Sequence, residues 1–109
     1  MLNGCMWCMY NNHQIIGTIA VRTLNMESKI IEIKRLYVLN EYQGNGYGNI
    51  LFETALNYAK ENKYYKIYAD AAKDRDASRH LLSKYGFTQI PRYSGSSQYT
   101  ELFFELKLV

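Results

Sequence analysis

Apolar positions along the chain fall into short runs broken by polar turns, with one long stripe at helical spacing. Residues 5–10 (CMWCMY) and 15–22 (IIGTIAVR) are two such runs, separated by Asn11-Asn12-His13-Gln14. Asparagine accepts positive φ readily, so this pattern predicts a hairpin, with His13 exposed in its turn. A second polar turn, Leu24 to Ser28, leads into Ile30, Ile31, Ile33, Leu36, Val38 and Leu39, with Tyr37 among them. That run is long enough for a well-buried strand, and the three strands predict an antiparallel meander.

The period then changes. Leu51, Phe52, Ala55, Leu56 and Ala59 recur at three- and four-residue intervals, which is one face of a helix. Asn62-Lys63 suits its C-terminus, with Asn62 tolerating the left-handed conformation. Tyr65 to Ala71 is the next strand, expected to run parallel to residues 30–39 because a crossover helix joins them. A second helix follows, capped by Asp74 or Asp76, with its body at Ala77 to Tyr85. Leu81, Leu82 and Tyr85 face inward and Gly86 stops it. Phe87 to Ile90 is a strand ended by Pro91, Arg92 to Ser97 a Gly/Ser loop, and Tyr99 to Leu108 the last strand. The order β-β-β-α-β-α-β-β predicts an α+β fold with a mixed sheet, close to a three-layer α/β arrangement.

Composition narrows the function classes. A chain of 109 residues makes one small domain, and 48% hydrophobic with 21% charged residues excludes a disordered chain. Net charge is a mild +3 with no basic stripe, so no nucleic-acid partner is expected. No apolar run approaches the roughly 20 residues of a membrane span. Nor does a charged leader precede an apolar core, and a cytoplasmic protein with no membrane association is the expectation. Cys5 and Cys8 form a lone C-x-x-C. No second pair or histidine pattern completes a zinc site, so no metal is expected and the thiols read as small buried hydrophobes.

The chemistry lies between the third strand and the first helix, where Gln43-Gly44-Asn45-Gly46-Tyr47-Gly48 sets glycines at alternate positions. The first turn of a helix has unpartnered N–H groups and a partial positive charge. Glycines let the backbone approach a ligand closely, so strand, glycine turn and helix make an anion site. No Lys-Ser/Thr pair follows the last glycine, so the turn is no P-loop. A dinucleotide fingerprint would need glycine at 49, where Asn49 stands.

The turn does match Gln-x-x-Gly-x-Gly, as Gln43-x-x-Gly46-x-Gly48, directly after Leu36-Tyr37-Val38. In that it resembles the coenzyme A pyrophosphate loop of the GNAT-type N-acetyltransferases. HLLSKYGF (80–87) is similar to that family's helix-to-strand corner, and ELFFELKL (101–108) to its closing strand. The likeness covers nearly the whole chain and implies the GNAT fold from its second strand onward, truncated at the N-terminal side. The strand and two helices that would wall the acceptor side are not represented. Because loss of that wall would expose apolar surface, a second copy of the chain, most simply in a dimer, is expected to cover it.

The resemblance implies acetyl-CoA as acyl donor and a primary amine of a small molecule or peptide as acceptor, joined by direct attack in a ternary complex. It assigns the pantetheine arm to the backbone of Leu36, Tyr37 and Val38. The pyrophosphate goes to Gln43, Gly44, Asn45, Gly46, Tyr47, Gly48 and Asn49, where only the glycines matter by side chain. Carbonyl polarisation falls to the N–H of Val38. Glu32, eleven residues before Gln43, is the expected catalytic base, a carboxylate in an otherwise apolar strand. The alternative for Glu32 is an ion pair with Lys34, two residues on. Arg35, Tyr37, Tyr93 and Tyr99 are candidates for the acceptor rim or ordinary surface.

Two positions depart from the family pattern. Leu82 stands where many members carry the tyrosine that protonates the leaving thiolate, and Arg75 where an asparagine is common. Arg75 could pair with coenzyme A phosphates; Tyr85 or Ser83 could substitute as acid, although Tyr85 reads first as core. These departures leave a second reading open, a non-catalytic acyl-CoA-binding module. A third is a nucleotide-phosphate binder using the same loop.

Overall fold

A computed structural model describes residues 4–108. Six strands and two helices follow the predicted order: β1 (Gly4–Asn11), β2 (Gln14–Asn25), β3 (Ile30–Val38), α1 (Tyr47–Glu61), β4 (Lys66–Ala71), α2 (Asp76–Lys84), β5 (Thr88–Ile90) and β6 (Leu102–Lys107). A short 3-10 turn, Asn40–Tyr42, links β3 to the glycine turn. The sheet runs β1-β2-β3-β4-β6-β5, with β3 and β4 parallel and every other pair antiparallel.

Alternation along the strands separates two faces. Ile19, Val21, Ile31, Ile33, Ile67, Ala69 and Ala71 turn toward the helices, where Leu51, Phe52, Ala55, Leu56, Ala59 and Leu82 complete one buried core. Phe52 is its centre, packed edge-on against Phe87 and tilted against Tyr85. The opposite face carries Arg22, Glu32, Lys34, Lys66 and Glu105, linked by ion pairs. That face also carries Tyr68 and Phe103, and the segment from Pro91 to Glu101 crosses it with the Tyr93 ring packed between them.

Both helices end in the same motif. Tyr64 N–H bonds to Ala59 O and Lys63 N–H to Lys60 O, while Phe87 N–H bonds to Leu82 O and Gly86 N–H to Ser83 O. Gly86 takes the left-handed position as expected, but at α1 it is Lys63 (φ 64°), not Asn62. The helix runs one residue further before it turns.

Other expectations shift as well. Arg75, not Asp74 or Asp76, precedes α2, and it makes no side-chain cap; Asp76 is the first helical residue. The last strand begins at Leu102 rather than Tyr99, because Thr100 and Ser97 are held by Arg92 in a closed loop. Cys5 and Cys8 are exposed, not buried. β1 is the sheet edge, where among apolar residues only Trp7 and Met9 are partly buried against the core. Met1 lies outside the described residues.

Candidate functional site

The parallel ladder between β3 and β4 ends at Ile33–Ala69. Beyond it Lys34, Tyr37 and Val38 stay paired with β2, whereas Asp70 and Ala71 stay paired with β6, so the two strands part and leave a wedge. A bulge drives the divergence. The β2–β3 register shifts between Thr18 and Ala20, Arg35 takes φ 57°, and Thr18 Oγ1 donates to Arg35 O at 2.8 Å. Leu39 N–H donates to Ile16 O at 2.9 Å, so the alternation of the ladder turns the N–H and C=O of Val38 away from β2 and into the wedge.

At the wide end of the wedge sits the glycine turn. Gly44 and Gly46 hold φ of 84° and 81°, a region other residues enter only under strain, and a Cβ at either would meet nothing within 4 Å. Gly46 opens α1 with no side-chain cap, leaving the first-turn amides without one. Gln43 is more than a spacer. Its Nε2 donates to Val38 O at 2.9 Å and ties the turn to the strand end, so the glycines are not the only side-chain requirement of this loop.

These elements enclose a cleft of about 1060 Å3 between β3, the turn and one side of α2. Leu36, Tyr37, Val38, Gln43, Gly44, Gly46, Tyr47, Gly48 and Asn49 all border it. Asn45 does not; its side chain folds back to donate to Tyr42 O at 3.0 Å. The cleft receives Arg75 from just before α2 and His80 and Lys84 from α2 itself, and Lys84 Nζ donates to Asn49 Oδ1 at 2.7 Å. Arg75, His80 and Lys84 thus share the cleft with Asp74 and Asp76, beside the uncapped amides of the helix start.

A smaller cleft of about 210 Å3 continues from it, sharing Leu36, Arg75 and Ser78. Among its walls are Lys34, Arg35, Asp70, Leu82 and Thr100. Asp70 was missed from sequence. Its Oδ2 accepts from Thr100 Oγ1 at 2.9 Å. The period-two pattern of β4 buries Ile67, Ala69 and Ala71, and the same pattern read for its other face would have singled out Asp70 at the strand end.

Glu32 behaves differently from expectation. Its side chain is fully buried and borders neither cleft. Arg22 Nη2 lies 2.8 Å from Oε1, Lys34 Nζ 3.6 Å from the same oxygen, and the Tyr93 hydroxyl donates to Oε2 at 2.5 Å. The foreseen Lys34 contact is thus the longest of the three. Arg22 also donates to Gly95 O at 3.0 Å, so Glu32 and Arg22 together clamp the Pro91–Glu101 segment to the sheet. Burial first, then the bond to Glu32, holds the Tyr93 hydroxyl far above the usual tyrosine range.

The remaining rim candidates divide. Arg35 borders the small cleft and Tyr37 the large one, whereas Tyr93 is buried and Tyr99 is exposed away from both. Leu82 is buried in the core and brings no hydroxyl. Tyr85 donates to Glu53 at 2.7 Å, a bond that, with some burial, pushes its hydroxyl up to about 12. Neither Tyr85 nor Ser83 borders either of these clefts, but Ser78 borders both. Among the described residues no group of three His, Cys, Asp or Glu could hold a metal ion, and no helix is long and apolar enough to cross a membrane.

Comparison with known proteins bears on what this arrangement is. The acetyltransferase (GNAT) family model matches residues 2–87. An uncharacterized N-acetyltransferase of Dictyostelium discoideum is 33% identical over 81 residues, covering 73% of this chain and 38% of that protein. The chain spans about a third to two fifths of the length of the curated relatives it matches. Among solved structures, a GNAT-family acetyltransferase from Staphylococcus aureus Mu50 superposes with a TM-score of 0.84 at 22% identity, covering 97% of this chain and 68% of that one. A GNAT-family acetyltransferase from Elizabethkingia anophelis, solved with acetyl-CoA bound, gives a TM-score of 0.77 at 21% identity, covering 96% and 76%. The fold of these neighbours is the fold seen here.

Proposed function

The chain belongs to the acetyltransferase (GNAT) family, and we propose that it transfers the acetyl group of acetyl-CoA to a primary amine by direct attack in a ternary complex. One observation carries the reading: a wedge edged by the N–H of Val38, whose C=O is tied to Gln43, runs from an uncapped, glycine-opened helix start to a cleft holding a carboxylate. The open space above Gly44 and Gly46 suits a diphosphate, and the Elizabethkingia neighbour with acetyl-CoA bound supports the same donor.

Leu36, Tyr37 and Val38 offer strand-edge pairing to the pantetheine amides, and the turn from Gln43 to Asn49 offers its amides to the pyrophosphate. Arg75 and Lys84 bring cations to the same cleft, where Asp74 and Asp76 also stand. The donor supplies a thioester. Asp70 takes a proton from the bound ammonium, so that the neutral nitrogen attacks the carbonyl carbon as the C–S bond breaks. Val38 N–H stabilises the carbonyl oxygen as it becomes negative. The nitrogen sheds its second proton, and the thiolate leaves to be protonated as free coenzyme A. With a thiol pKa of about 8.5 the leaving group needs little help, and general acid assistance is worth at most about 10⁴. Ser78, which borders both clefts, is the hydroxyl we assign to that point. No metal is needed in this scheme.

Glu32, the base expected from the sequence, remains the rival for the proton-accepting role, with its burial and full set of partners weighing against direct contact. Exposed free thiols at Cys5 and Cys8 suit a reducing, cytoplasmic setting. Exposed Met6, Tyr10 and Ile15 at the β1–β2 end are the ground on which we retain a dimer.

Leu82 favours the second reading, an acyl-CoA-binding module that does not transfer. Thiol release with a panel of amines separates the two. Turnover that falls in Asp70→Asn supports transfer through this cleft; acetyl-CoA binding without release of thiol from any amine supports the binding module.

A further inference from the structure

We propose that the acceptor is a small amine that also carries a carboxylate, as in an α-amino acid, its ammonium meeting Asp70 and its carboxylate meeting Lys34 and Arg35. This rests on the transfer reaction proposed above and adds the class of substrate to it.

The walls of the small cleft carry unbalanced charge. Asp70 is the one acidic residue bordering it, against Lys34, Arg35 and Arg75. Arg75 also borders the larger cleft, where phosphates would claim it. Lys34 and Arg35 are left. Lys34 has only the longer contact to Glu32, at 3.6 Å, because Arg22 and Tyr93 already occupy that carboxylate. Arg35 makes no ion pair among the described residues, and it sits exposed at φ 57° on the bulge that opens the wedge. A bulge re-aims side chains, and strain of this kind concentrates at ligand sites.

A cationic acceptor, such as a polyamine, would meet one carboxylate and two adjacent cations, an unfavourable match. An amine with a carboxylate answers both signs. Size is compatible: a volume of about 210 Å3 holds about seven waters at about 30 Å3 each, room for an amino acid.

The test is thiol release from acetyl-CoA with amines matched in skeleton: glycine against glycinamide, aspartate against asparagine, and putrescine as a dication. We expect kcat/KM for each acid to exceed that of its amide by about tenfold or more, with putrescine the poorest acceptor. Arg35→Gln and Lys34→Gln should each raise KM for the acids while leaving KM for acetyl-CoA unchanged. Equal or faster turnover of the amides, or of putrescine, would overturn the proposal, as would survival of the preference in both variants. A thermal shift with acetyl-CoA runs alongside. A shift without turnover of any acid sinks this inference alone, whereas no shift in the wild-type chain sinks the transfer reaction beneath it.

Discussion

Glu32 and Asp70 lie on neighbouring strands and on the same face of the sheet, yet their surroundings assign them different work. Both Glu32 oxygens are held and the side chain has no exposed surface; Asp70 keeps one oxygen outside its bond to Thr100 and borders the cleft. Asp70→Asn should therefore lower kcat by about 10²–10⁴ with acetyl-CoA affinity intact. Glu32→Gln should act first on stability, seen in urea unfolding, because Arg22 and Lys34 lose their counter-charge. Tyr93→Phe leaves a buried carboxylate oxygen without a donor, which costs about 1–3 kcal/mol and should loosen the Pro91–Glu101 segment, raising KM for the amine. Tyr85 gives a pH signature. Its hydroxyl titrates near 12 in the fold against about 10 unfolded, so the folded chain holds that proton more tightly. The stability this contributes is present below pH 10 and is lost as pH rises toward 12, and Tyr85→Phe should flatten that part of the melting-temperature profile.

At the scale of elements, the site is a consequence of two strands that begin paired and then part. The strand run, the glycine turn and the helix stripe were all legible in the sequence, because each is a local pattern of spacing and residue type. Nine of the ten expected cofactor-site residues border one cleft for that reason, and Asn45 does not because its amide folds back on Tyr42. The bulge at Arg35 was not legible. Arginine carries no signal for positive φ, and the conformation is imposed by the β2 register and the Thr18 bond. Nor was the Glu32–Arg22–Tyr93 clamp, whose members lie 10 and 61 positions apart. α2 offers a test of its own. Arg75 precedes it without capping it, so Arg75→Ser should stabilise the free chain by about 1 kcal/mol while weakening acetyl-CoA binding, two effects of opposite sign in one thermal-shift experiment.

For the whole molecule, the sheet has one face covered by helices and one that is charged and partly crossed by a loop. That alters the argument for a partner subunit. The Pro91–Glu101 segment, through Tyr93, already covers the aromatic part of the charged face, and Met6, Tyr10 and Ile15 are left exposed on the β1–β2 hairpin. Sedimentation at micromolar concentration should show a dimer that Tyr10→Glu dissociates; a wild-type monomer would remove the partner from the account. The central claim, that main-chain amides at the glycine turn hold the acyl donor, is tested most directly by calorimetric titration of acetyl-CoA into wild-type and Gly46→Val chains. One site per chain is expected in the wild type, with binding abolished in the variant while its thermal unfolding remains cooperative. Wild-type affinity retained in Gly46→Val would contradict it.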